Sequence, residues 1–291
     1  MKQTLFICIL LAAVTFTFSA ELPVRYEELT APDFIHAVEK SGQICVIPLG
    51  ILEKHGAHLP LGTDMIDARQ VALSAAAKEY AVVFPQYYFG QIYEAKHQPG
   101  TIAYSPQLVW NILQETCDEL ARNGFKKIVL VNGHGGNNNF LPYFCQVQLE
   151  SKRDYAVFLF RPEDKPEVME KVRHLRKTST GGHADEEETS ILLSHRPELV
   201  HTDRAAQQSG EDLDRLKGLD HAYTGIWWYA KFPNHYAGDG SAADTLIGEL
   251  LLNMEADQLA QLVRALKKDD RTLELMQLFY RESEQPLKTK Q

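Results

Sequence analysis

Apolar residues fall in four short unbroken runs, at 44–49, 81–84, 127–131 and 155–160, each rich in β-branched or aromatic side chains and bounded by turn formers. A strand with one wet face alternates apolar and polar positions, whereas an unbroken run implies cover on both faces, as in a parallel sheet. Between the runs, helical patterns occupy 64–79, 106–123 and 138–152, and the second ends in Asn123-Gly124, a suitable helix stop. The order β-α-β-α-β-α-β predicts an α/β fold with a mostly parallel sheet. Further helices are expected at 166–177, from about residue 185, and over 241–267. With no repeat and no low-complexity linker, a single domain over 21–275 is the simplest division, followed by a polar tail over 276–291. Ligands bind such sheets at the carboxyl ends of the strands, so the chemistry is expected in the loops there.

The N-terminus changes this picture at one end. Met1-Lys2-Gln3 followed by an apolar run to Val14 has the charged start and short hydrophobic centre of a secretory signal peptide, with cleavage after Ser19 or Ala20. Residues 1–20 are therefore read as a signal, too short for a membrane span, and the mature chain as exported, periplasmic or secreted. Removing Cys8 leaves Cys45, Cys117 and Cys145, an odd number at scattered spacings that implies no disulfide framework; Cys45 and Cys117 are expected as buried thiols. The composition, 44% hydrophobic and 24% charged, is that of a globular domain. A formal charge of −9 without a basic run gives no reason to expect nucleic acid as a partner.

Candidate chemistry is concentrated after the first run, where Glu53, His55, His58 and Asp64 lie within twelve residues. In an extended segment Glu53 and His55 project from one side, so a carboxylate and an imidazole reach neighbouring points. Asp64 opens a helix at the same rim, where a carboxylate can bridge two cations. The third strand runs into Asn132-Gly133-His134-Gly135-Gly136-Asn137, and the glycines let the backbone of this strand end approach a ligand closely. A third cluster reads Gly181-Gly182-His183-Ala184-Asp185-Glu186-Glu187-Glu188. Its acidic residues 185–187 suit a solvent-facing helix start. His183 and Glu188 face one crevice only if the chain turns into the helix between them.

These motifs resemble the creatininase family. Residues 49–64 are similar to its E-x-H-G-x-H-L-P-L-x-T-D motif, His97-Gln98-Pro99-Gly100-Thr101 to its H-x-x-P-G-T loop, and 132–137 read N-G-H-G-G-N. Residues 183–190 resemble H-A-G-E-x-E-T-S with Asp185 in place of glycine, and Gly238-Asp239, Ala243 and Gly248 resemble the closing segment. The resemblance covers roughly residues 40–255 and implies a three-layer α/β/α subunit, assembled as a homo-oligomer (hexamer), with two divalent metal ions (Zn, Mn or Fe) that hydrolyse a non-peptide or cyclic amide. Carried over by position, Glu53 and His134 hold one ion, His55 and Glu188 the other, and Asp64 bridges them. His183 passes a proton to the leaving nitrogen. His58 and His97 become substrate-facing or orienting groups.

Two departures bear on the substrate. Creatininases carry a glutamate ligand two residues past the histidine of N-G-H, where this chain has Gly136, so that ligand is assigned to Glu188. They also carry tryptophans close upstream of the catalytic histidine, which Ser179 and its neighbours do not supply; Trp227 and Trp228 offer either a lid or a buried aromatic pair. Creatinine itself is thus not the expected substrate. The expected activity is a metal-dependent hydrolase of a small-molecule amide. A formamide deformylase or modified-peptide peptidase of the same fold, and a metal-binding module without turnover, stand as alternatives. His201, His221 and His235 are read as surface or packing residues.

Overall fold

In the computed structural model, which describes residues 22–289 apart from 180 and 220, the first apolar run forms β1 (Ile44–Leu49), with all six side chains buried. β2 (Val82–Val83), β3 (Lys127–Asn132) and β4 (Ala156–Leu159) join it in a parallel sheet of order β2-β1-β3-β4. β2 is shorter than the run 81–84 because Pro85 follows directly and cannot donate to a ladder.

The helices, in chain order, are α1 (Ala31–Lys40), α2 (Thr63–Lys78), α3 (Pro106–Arg122), α4 (Phe140–Val147), α5 (Pro166–Leu175), α6 (Glu186–His195), α7 (Trp227–Lys231), α8 (Thr245–Lys267) and α9 (Arg271–Ser283). Side chains alternate across a strand, and here both faces of the sheet are covered. Ile44, Val46, Val129 and Val131 pack against Val71, Ala72 and Ala75 of α2 and Leu259 and Val263 of α8. Cys45, Ile47, Ile128 and Leu130 meet Ala37 of α1, Leu113, Cys117 and Leu120 of α3, and Phe144 of α4. Fully burying one such aliphatic side chain contributes roughly 1.5–3 kcal/mol, which explains why both faces attract helices. The result is a three-layer α/β/α fold. Cys45 and Cys117 are buried free thiols whose pKa values burial pushes up.

Several elements depart from expectation. The helix expected over 138–152 is divided, with 3-10 turns at Gly135–Asn138 and Gln148–Glu150 flanking α4. α8 starts at Thr245 because Asp244 caps it, accepting from the Leu246 N–H. α1, α7 and α9 were not anticipated, and α9 crosses the boundary drawn at residue 275. The signal reading falls on residues 1–20, which lie outside the described residues. Among those described, no helix is long and apolar enough to cross a membrane.

From β1 the chain passes through α2 to β2 on one side, then returns to place β3 on the other. The strand order therefore reverses between β1 and β3, and the crevice at their carboxyl ends is where such a sheet binds ligands.

Candidate metal centre

Two glycines let α2 sit on that crevice. A Cβ on Gly50, just past β1, would lie 2.2 Å from the Met65 nitrogen, and one on Gly133, just past β3, would lie 2.4 Å from the Asp64 carbonyl oxygen. Without side chains there, the first turn of α2 rests directly on both strand ends. Asp64 thus reaches the crevice from the amino-terminal turn of a helix, where the backbone dipoles favour a carboxylate. Glu53 and His55 follow β1 and His134 follows β3, as predicted, and Glu53 and His55 are wholly buried.

Asp64 divides its carboxylate between two imidazoles. Oδ1 lies 2.8 Å from His55 Nε2, and Oδ2 lies 3.1 Å from His134 Nδ1. The other ring nitrogens are committed to backbone carbonyls: His55 Nδ1 is 3.2 Å from the Glu53 oxygen and His134 Nε2 is 2.8 Å from the Gln91 oxygen. A nitrogen facing a carbonyl must carry the proton, so in each neutral ring the lone pair points at Asp64. Around His134 Nδ1 converge Asp64 Oδ2 and, at 2.9 Å, Glu53 Oε1. Both oxygens are buried and lack a hydrogen bond in the neutral-ring arrangement. Lone pairs meeting at one buried point repel, and either a proton or a cation resolves the repulsion.

The titration behaviour says the same. Burial would lower the pKa of His55, but Asp64, Glu188 and Glu53 raise it to about 10. His134 is likewise raised, with Glu53 and Asp64 overriding its burial. Burial would raise Glu53, yet His134 and His183 hold it well below the usual carboxylate range. The site demands positive charge, and a mixed carboxylate–imidazole set is a suitable donor set for zinc or manganese.

The third cluster closes the crevice. Asp185 caps α6 by accepting from the Glu187 and Glu188 N–H groups, and the chain does turn between His183 and Glu188, with Ala184 at φ 55°. Glu188 accepts from the Ala184 N–H and lies 3.7 Å from His55 Nε2. His183 Nε2 donates to the Lys54 carbonyl at 2.8 Å, which leaves Nδ1 facing the site, 3.8 Å from Glu188 Oε2. Ligand atoms of Glu53, Asp64 and His134 form one close group, those of His55, His183 and Glu188 a second, and those of Glu53, His183 and His235 a third. All five predicted ligands and His183 are therefore together.

Other expectations need correction. His235 is no packing or surface residue: it is buried, and its Nε2 donates to Glu53 Oε2. Because an indole can only donate, the 2.9 Å contact from Trp228 Nε1 makes His235 Nδ1 an acceptor and fixes the tautomer. His235 therefore orients Glu53, and its φ of 51°, unusual for a non-glycine residue, marks a strained turn at the site. Its place three residues before Gly238-Asp239 was the available signal. His58 does not face the crevice; its Nε2 reaches Thr189 Oγ1 at 2.9 Å, tying the Glu53–Asp64 loop to α6. His97 donates to the Pro233 carbonyl at 2.8 Å and holds the segment carrying α7. Glu186 is fully buried rather than solvent-facing, accepting from the Lys177 and Thr178 N–H groups.

Above the cluster lies a chamber of about 740 Å³, with Trp227 and Trp228 in its wall. The tryptophans thus line the site, and Trp227 keeps 37% of its surface exposed.

Comparison with known proteins gives the same direction. The family model described as "Creatininase: Creatinine amidohydrolase" matches residues 27–263. Creatinine amidohydrolase of Pseudomonas putida is 27% identical over 259 residues, 81% of this chain and 95% of that protein. A mycofactocin precursor peptide peptidase of Mycolicibacterium smegmatis is 32% identical over 164 residues, 54% of this chain and 60% of that protein. A manganese form of creatininase superposes with a TM-score of 0.71 at 23% identity, covering 84% of this chain and 99% of that one.

Proposed function

Because the chain belongs to the creatininase family, whose members are metal-dependent amidohydrolases acting on C–N bonds other than peptide bonds, we propose that it hydrolyses a non-peptide or cyclic amide at a centre for two divalent ions. The observation that carries the two-ion reading is Asp64, whose oxygens serve His55 and His134 separately. Glu53 and His134 would hold one ion and His55 and Glu188 the other, with Asp64 facing both. The ions supply Lewis acidity, an acidified water as nucleophile and a polarised amide carbonyl. The chain's own groups do the rest. His183, anchored through Nε2, uses Nδ1 to hold the proton released by the attacking water and pass it to the leaving nitrogen, so the C–N bond breaks as an amine departs. Trp228 and His235 keep Glu53 in place.

The chamber is larger than a single small ring requires, which favours substrates other than creatinine; a modified peptide is the second reading, supported by the precursor peptide peptidase among the relatives. In the same proposal the chain is exported, on the pattern of residues 1–20, and forms a closed homo-oligomer. The exposed Leu275, Leu278 and Phe279 of α9 offer an apolar surface for a second copy.

The test is a protein expressed without residues 1–20, loaded with zinc, manganese or iron and screened against lactams, formamides and cyclic ureides. About two ions per chain and turnover of one class are expected. Stoichiometric metal with no turnover of any amide would favour a binding module, and an Asp64→Ala variant with full metal content and activity would refute the bridging role.

A further inference from the structure

The chamber's charge is as informative as its size. Among the described residues lining it there is no lysine or arginine. Glu53, Asp64 and Glu188 each lie within 4 Å of an imidazole of the centre, but Glu94, also in the wall, has no cationic side chain beside it among the lining residues. Its partner there is neutral: Gln91 Nε2 donates to Glu94 Oε1 at 3.2 Å. Gln91 is itself pinned, its Oε1 accepting from the Tyr93 N–H at 2.8 Å.

Gly136 leaves room for this arrangement. A Cβ at 136 would lie 2.9 Å from Glu94 Oε1, 2.9 Å from Gln91 Nε2 and 2.3 Å from His134 Nε2. A side chain there would meet the His134 ring first and the Gln91–Glu94 pair beside it, so the glycine leaves that pair space next to the ring. Tyr93, Tyr143, Tyr223, Trp227 and Trp228 supply the aromatic surface of the same chamber. Aromatic faces with one fixed carboxylate and no basic group are the chemistry that recognises an organic cation.

We infer that this site selects amides whose non-reacting arm carries an ammonium or guanidinium group, with Glu94 as its counter-charge. The inference rests on the two-metal amidohydrolase reading. It disfavours substrates whose distal arm ends in a carboxylate or phosphate, because the wall around Glu94 meets them with a like charge and no lysine or arginine.

Binding of hydroxamates, which chelate metal centres, tests this without turnover. The probes are benzohydroxamic acids with a para-aminoalkyl, para-alkyl or para-carboxyalkyl arm of graded length, titrated calorimetrically into metal-loaded protein and into Glu94→Gln. In the unaltered protein the aminoalkyl probe should bind roughly 10-fold or more tighter than its alkyl isostere, with the carboxyalkyl probe weakest. In Glu94→Gln that order should collapse, with the alkyl probe unchanged. Equal affinity for all three arms, or a cation preference that survives Glu94→Gln, would overturn the inference while leaving the metal centre standing. If no hydroxamate binds better with metal than after EDTA treatment, the two-metal reading fails and this inference with it.

Discussion

Glu188 and His183 approach the same imidazole from one side, and their roles separate by what each leaves behind when removed. Glu188→Ala deletes an anionic ligand, so one ion should be lost or weakened and activity partly restored at high metal concentration. His183→Ala should retain both ions while the hydrolysis rate falls about 100-fold or more. The reverse pattern of metal loss would make His183 the ligand. His235 acts one bond further out. His235→Ala should weaken metal binding by about 10- to 100-fold in a chelator competition, and Trp228→Phe should cost less, since it removes only the donor that fixes the ring. His58 gives a pH signature. Burial depresses its pKa from 6.5 to about 4, so its contribution to stability is complete above pH 6.5 and is lost as pH falls through about 4. Between those limits His58→Gln should flatten the pH dependence of urea unfolding by on the order of 1–3 kcal/mol; parallel curves would contradict this.

At the scale of elements, the contact of α2 with the ends of β1 and β3 decides whether Asp64 arrives. Gly133→Ala places a methyl against the Asp64 carbonyl, so it should cost about 1–3 kcal/mol in unfolding and reduce metal content together. Metal content that is unchanged despite the destabilisation would detach the site from this contact. β1 was legible to the residue, since an unbroken apolar run between Gln43 and Gly50 has few other solutions. The convergence of the candidate ligands was legible because strand ends and one helix start bring short motifs to the same rim. α9 was not anticipated, although Leu273, Met276 and Tyr280 fall at helical spacing: it lies between the polar segments 267–270 and 284–286, only Tyr280 of it is buried, and the boundary was drawn through it. His235 was hidden for a different reason. Its role is created by a turn that returns from far along the chain to Glu53, and Glu94 likewise acquires its place only through the gap at Gly136.

For the molecule as a whole, the proposed assembly is checked by light scattering at micromolar protein, where a multiple of the chain mass is expected and a monomer would dispose of it. Replacing Leu275 and Phe279 with polar residues should shift that mass downward if α9 lies in the contact. The wide spread of the ligands along the chain has a consequence for manufacture. Glu53 and His55 are made early, Glu188 late, and the His235 that steadies Glu53 later still, so no partial chain owns a complete cradle. On the two-ion reading, capture of both ions therefore waits until these distant segments have come together. On the proposed export, with folding completed outside, the ions come from whatever the outer compartment holds. Refolding the metal-free chain in competing mixtures of zinc, manganese and iron should accordingly yield a content that follows the refolding solution, and not the metal present during synthesis.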